Sequence, residues 1–172
     1  MDKVEVDVSD MEFKENENDD GYTLGMKTTG AIIKNEWYET LQAAINAAAE
    51  GDTVILLGDV TASEIITIEK AITLNGNGKT LTYTGSTRAI EMPNNAEAKL
   101  NVTLKNLTVD CTASYCERGI NYNDDGALTL EGVTVNGTNV TYAVNLPGSA
   151  DNATIVINNS SLTGRIALTV WG

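Results

Sequence analysis

Histidine is absent from this chain of 172 residues, and proline (2), cysteine (2) and phenylalanine (1) are nearly so. Without histidine, acid–base chemistry would rest on carboxylates or on a Lys or Arg base. With one Phe, two Trp and six Tyr, the core must be aliphatic, built from Ile, Val, Leu and Ala. Cys111 and Cys116 enclose four residues of one loop, match no metal-ligand spacing and make no disulfide framework. They read as incidental thiols, with a loop-closing disulfide as the alternative. Basic residues are also scarce: 11 Lys and Arg against 24 Asp and Glu give a net charge of −13. Nucleic acid is a poor partner for such a surface, because no counterions would be released from phosphates. No apolar run approaches the ~18 residues that span a bilayer, and no signal peptide follows Met1. The expectation is a soluble chain with no membrane span and no secretory address.

What the chain does have is a phrase repeated four times: Ile72–Tyr83, Val102–Cys111, Leu128–Gly137 and Ile155–Gly164. Each copy alternates apolar and polar residues, turns at Gly or Asn, and alternates again. A chain that coils on itself one rung at a time has this signature. The inward columns of the first strand align as Val54/Ile72/Val102/Leu128/Ile155 and Leu56/Leu74/Leu104/Leu130/Ile157. Those of the second align as Leu81/Leu107/Val133 and Tyr83/Val109/Val135/Leu162. The third gives Ile66/Ile90/Ile120/Val144/Leu168, with Ile68/Met92/Tyr122/Leu146/Val170 beside it. Three short parallel strands per coil, each with every second residue inward, define an all-β parallel β-helix (a solenoid) of about five coils. Gly76/Asn106/Gly132/Asn159 mark a sharp corner, and Lys105 and Glu131 fall at one outward column.

Two segments precede the rungs. Residues 1–35 form an acidic arm: nine of the first twenty residues are Asp or Glu and two are Lys. Its short alternating pieces, Val4-Val6-Val8 and Tyr22-Leu24-Met26, suit strands added to an edge. The domain proper is read as 36–172. Leu41, Ala44, Ile45 and Ala48 share one face of a helix at about residues 39–50, with Gly51 at its C′ position, placed to cap the solenoid.

The order Tyr38-x-x-Leu41-Gln42-x-Ala44-Ile45-x-x-Ala48, then Gly51-Asp52-Thr53-Val54, then L-x-N-x-T-V rungs, resembles the right-handed parallel β-helix proteins of the pectate-lyase-like superfamily. It is similar in flavour to short-rung repeats of gut-bacterial surface proteins and of phage fibres and spikes. The resemblance covers about residues 36–172 and implies the fold, with functions from polysaccharide cleavage to adhesins and inert stalks.

Polysaccharide hydrolysis needs two carboxylates about 5–9.5 Å apart. The third-strand outward column reads Thr67, Glu91, Asn121, Asn145, Thr169; the first reads Asn75, Lys105, Glu131, Asn158. The second-strand columns read Thr82/Thr108/Thr134/Ser161 and Thr84/Asp110/Asn136/Thr163, and no column carries two acids in succession. A lyase would need an acidic Ca²⁺ cluster, for which Asp110, Asp124 and Asp125 are candidates, with Arg88 or Arg118 as base. Asp124-Asp125-Gly126 reads more simply as a turn. The expectation is therefore no enzyme, no cofactor and no metal. An outward binding face remains, formed by Thr82, Thr108, Thr134, Ser161, Glu91, Asn121 and Asn145, with Tyr115, Tyr142 and Trp171 as candidate aromatic platforms for a glycan. The plainer account of these columns is that Thr suits exposed strands and Asn suits stacked turns.

The stretch Ile166–Gly172 is strand-like without a polar cap, which favours self-association, with a homotrimer in view, or a longer parent protein. Together these features point to a non-catalytic structural or attachment protein displayed on a surface. A phage virion fibre or decoration protein docked through residues 1–35 is favoured over a gut-bacterial surface adhesin or glycan-binding segment. A polysaccharide lyase or hydrolase stands third.

Overall fold

The computed structural model describes residues 11–15, 22–26, 29–95 and 99–171. Strands β1 (Met11–Glu15) and β2 (Tyr22–Met26) pair antiparallel as a two-stranded sheet. Tyr22-Leu24-Met26 is thus a strand, while Val4-Val6-Val8 lies outside the described residues. The rest of the acidic segment is not uniform. Strands β3 (Ala31–Ile33) and β4 (Glu36–Tyr38) form a hairpin through Lys34 and Asn35, both at positive φ (48° and 71°). Strand β3 also runs antiparallel along β5 (Thr53–Leu56), which buries Ala31 and Ile33. Their strand thereby covers the edge of the first coil.

The helix α1 spans Leu41–Ala47, shorter than the 39–50 expected. Thr40 caps it by accepting from the Ala43 amide, and Leu41, Ala44 and Ile45 face the core. The helix stops at Ala48, ahead of Gly51, because other groups take over its C-terminal end. Lys70 Nζ donates to the carbonyls of Asn46 (2.7 Å) and Ala48 (2.6 Å), and Asp52 accepts from the Ala49 amide. Lys34 pairs with Asp52 at 2.6 Å and, with the Ala49 amide, holds that carboxyl below its usual range. Gly51, at φ +82°, turns the chain into β5.

The solenoid follows. Its strands are β6 (Val60–Ala62), β7 (Ile66–Thr67), β8 (Thr73–Tyr83), β9 (Arg88–Met92), β10 (Asn101–Cys111) and β11 (Cys116–Tyr122). They continue as β12 (Ala127–Glu131), β13 (Thr134–Asn136), β14 (Val140–Leu146), β15 (Thr154–Asn158), β16 (Ser161–Leu162) and β17 (Ile166–Val170). From β5 onward every pairing is parallel, and the chain makes about four turns where about five were expected. First and second strands of each coil share one ten-stranded sheet; third strands form a five-stranded sheet in the order β17-β14-β11-β9-β7.

The third-strand columns align as the sequence pattern predicts, Ile66↔Ile90↔Ile120↔Val144↔Leu168. So do Val102↔Leu128↔Ile155 and Leu74↔Leu104↔Leu130↔Ile157. Two alignments are corrected, each by two residues. Val54 lies beside Leu74, not Ile72, because Gly51 and Asp52 bond to Ala71 and Thr73 and fix the register there. Leu81 lies beside Val109, not Leu107, because β8 carries two extra residues at its corner: Asn75 faces Lys105 while Lys79 already faces Leu107. The corner is made by left-handed residues, Asn106 (φ 49°), Gly132 (φ 63°) and Asn159 (φ 49°), and in β8 by Asn77 and Gly78 (φ 53° and 75°). Gly76 is not the turning residue. It is glycine because a Cβ there would sit 2.5 Å from the Asn106 carbonyl oxygen.

The interior of the middle coils is mostly aliphatic, with Leu74, Leu104 and Leu130 at 0 % exposure and Tyr83 and Tyr122 buried with them. In the last coil the same inward rows are part-exposed: Ile157, Leu168 and Val170 reach 37, 37 and 61 %.

Candidate functional site

The outward faces of the two sheets differ in kind. On the ten-stranded sheet the rows are Thr80/Thr108/Thr134/Ser161 and Thr82/Asp110/Asn136. Thr82 therefore stands one row away from the Thr108, Thr134 and Ser161 with which it was grouped; the two-residue corner insertion moves it. Thr80 takes its place. Lys105 lies between Asn75 and Glu131, as the pattern of opposite charge suggests.

The five-stranded sheet carries Thr67, Glu91, Asn121, Asn145 and Thr169 in one row. Strand alternation points these side chains away from the core, yet Asn121 and Asn145 are only 3 and 2 % exposed. Buried amides must be hydrogen-bonded, and these bond to one another. Asn145 Nδ2 donates to Asn121 Oδ1 (2.7 Å), and Asn121 Nδ2 donates to both carboxylate oxygens of Glu91 (3.1 Å each). Arg88 closes one end, donating to Glu91 Oε2 at 2.7 Å; the Trp171 indole N–H closes the other, donating to Asn145 Oδ1 at 3.3 Å. The coil spacing of about 4.8 Å suits such an amide ladder. Glu91 is the acid of this row, and its neighbours there are Thr67 and Asn121.

Beside the ladder lies a groove of about 380 Å³, lined by Arg118, Tyr142, Asn145 and Trp171, with Glu117, Pro147 and Gly148 at its rim. Arg118 and Tyr142 face each other across adjacent strands. Arg118 is tied to Glu117 at 2.9 Å, while its Nε is buried without a hydrogen-bond partner. Trp171 is 55 % exposed but fixed, its backbone N–H bonded to the Leu146 carbonyl and its indole N–H to the ladder. An exposed aromatic face held still beside a polar floor is suited to an amphipathic ligand. Tyr115, also exposed at 54 %, is not among the groove's lining residues.

Tyr142, Trp171 and Arg118 each stand out in the sequence, but nothing there joins them. The signal was available in the register: Arg118 opposes Tyr142, and Trp171 lies two residues beyond Thr169, the residue opposite Asn145. Glu117 and Pro147 carry no such signal. A larger cavity of about 550 Å³ lies against α1, but Gln42 and Lys70 in its lining serve the cap. Gln42 bonds both the N–H and the carbonyl of Thr67, and Lys70 bonds the helix end.

Asp124 is a turn residue. Its buried carboxylate accepts the backbone N–H groups of Asn95 (2.9 Å), Leu100 (2.8 Å) and Gly126 (2.8 Å). Tyr122 donates to the Leu100 carbonyl at 2.5 Å, and burial, with the nearby Asp124 charge, raises its phenol above the ordinary range. Asp110 lies on β10 between Thr82 and Asn136, and Asp125 accepts from the Asn152 amide. Among the described residues, no three His, Cys, Asp or Glu side chains come together as a metal site, and no helix is long and apolar enough to cross a membrane. No protein-family model, no curated protein and no solved structure matches the chain.

Proposed function

We propose that this chain is a non-catalytic attachment module, displayed on a surface, that holds carbohydrate in the groove between Arg118, Tyr142 and Trp171. The immobilised, half-exposed Trp171 ring carries the proposal. A sugar presents an apolar ring face for stacking and a hydroxyl edge for Arg118, so one groove can satisfy both. Glu91 favours binding over catalysis. Both its oxygens already accept hydrogen bonds, from Arg88 and Asn121, and amide or hydroxyl residues flank it in its row. Both settings that the sequence suggests, a virion fibre and a cell-surface adhesin, would use such a face for attachment. Kinship with pectate-lyase-like β-helices is part of the same proposal, supported by the helix-capped parallel coils.

The test is titration of the intact chain with neutral and acidic oligosaccharides, followed by calorimetry. Trp171→Ala and Tyr142→Ala should each weaken binding by up to about tenfold, the loss of one stacking face, and Tyr142→Ala should leave Tm unchanged. If no oligosaccharide changes the signal, the proposal fails. If reducing ends accumulate instead, catalysis replaces it.

A further inference from the structure

In two of three successive coils a hydrogen bond across it holds the second-to-third-strand corner. In the β8–β9 coil the Tyr83 hydroxyl hydrogen-bonds Thr87 Oγ1 at 3.1 Å. In the β13–β14 coil the Val140 amide donates to the Gly137 carbonyl at 3.2 Å. In the coil between them the flanking residues are Cys111, beside Tyr83, and Cys116, beside Val140. Both are buried and both are free thiols, and the residues stacked on them meet across the next corner: a Cβ at Gly137 would lie 2.2 Å from Val140 Cγ2 and 3.5 Å from the Cys111 Cβ. They join the last residue of β10, in the ten-stranded sheet, to the first of β11, in the five-stranded sheet.

We propose that Cys111 and Cys116 are a dithiol–disulfide site, at which oxidation closes the corner of the middle coil with a covalent staple between the two sheets. The oxidant is a small-molecule disulfide such as oxidised glutathione. The Cys116 thiolate attacks one of its sulfurs, the S–S bond breaks, and one glutathione thiolate leaves. Cys111 then loses its proton and attacks the Cys116 sulfur of the mixed disulfide, releasing the second glutathione. Two protein thiols are oxidised, two electrons pass to the oxidant, and two protons end on the glutathione thiols. Either thiol can attack first, and the reverse order gives the same disulfide. The intervening residues Thr112, Ser114 and Tyr115 are exposed, so this corner is the route by which the oxidant reaches the pair. Cys116 Sγ also lies 3.3 Å from the carbonyl oxygen of Arg118, which links the corner to the groove.

The test uses the whole chain, both native and refolded from urea, equilibrated in glutathione buffers from fully reduced to fully oxidised. Alkylation under denaturing conditions and intact-mass measurement follow. As the buffer becomes oxidising, the doubly alkylated chain should give way to an unalkylated one lighter than the unmodified chain by two hydrogens (about 2 Da). The oxidised chain should melt about 5 °C higher. Cys111→Ser should stop at a glutathione adduct on Cys116. Refolding removes burial as an obstacle, so two intact thiols in the most oxidising refolded sample would overturn the proposal. A stable double adduct, or a disulfide that lowers Tm, would do so as well.

Discussion

Leu104 and Asn121 lie in the same coil, both almost fully buried, one facing the core and the other facing away from it. Leu104 stacks between Leu74 and Leu130 through non-directional contacts. Asn121 is held by directional bonds that run from Arg88 to Trp171, each amide giving to one neighbour and taking from the next. The difference shows in how the two tolerate insertion. The ten-stranded sheet absorbs two extra residues at the β8 corner and still buries an aliphatic row, because Leu81 packs on Val109 as well as it would on Leu107. A two-residue slip in the five-stranded sheet would break the ladder, because Asn121 would lose Glu91 and Asn145 together. A β-helix can thus be permissive inside and strict outside.

Three substitutions probe this contrast, from the largest effect to the smallest. Leu104→Ala should cost about 2–5 kcal/mol by urea unfolding, the transfer energy plus a cavity that the coils above and below cannot close. A loss under ~1 kcal/mol would mean the stack is fluid enough to collapse. Asn121→Ala should cost less, about 1–3 kcal/mol, because the Asn145 amide is left as a buried donor without its acceptor. The same variant should free Trp171, seen as a red-shifted emission; an unchanged spectrum would mean the rows act independently. Thr108→Ala, on the outward face of the ten-stranded sheet, should stay within about 0.5 kcal/mol. A larger loss would mean that Thr108 makes contacts beyond its own row.

The same contrast explains what could be read in the chain. Period-two alternation fixes which residues face inward, so Ile90, Ile120 and Val144 were legible without a structure. Register across Gly76–Lys79 was not, because a left-handed corner can be made by one residue, as at Asn106, or by Asn77 and Gly78 together. Thr82 was misplaced for that reason alone. The outward row Glu91, Asn121, Asn145 was legible as a row, but its burial was not. Alternation says which way a side chain points and nothing about what closes over it. Trp171 reaches Asn145 across 26 positions of sequence, a distance that only the stacked coils collapse.

The cap has one more consequence, for how alignment passes through the fold. In a solenoid each coil meets only the coils beside it, so each strand takes its alignment from its neighbours alone. At the N-terminal end that alignment is fixed by Gly51 and Asp52, bonded to Ala71 and Thr73. The short helix therefore closes the end at which the register is keyed. A slip there would pass from coil to coil until it reached Asn145 and Trp171.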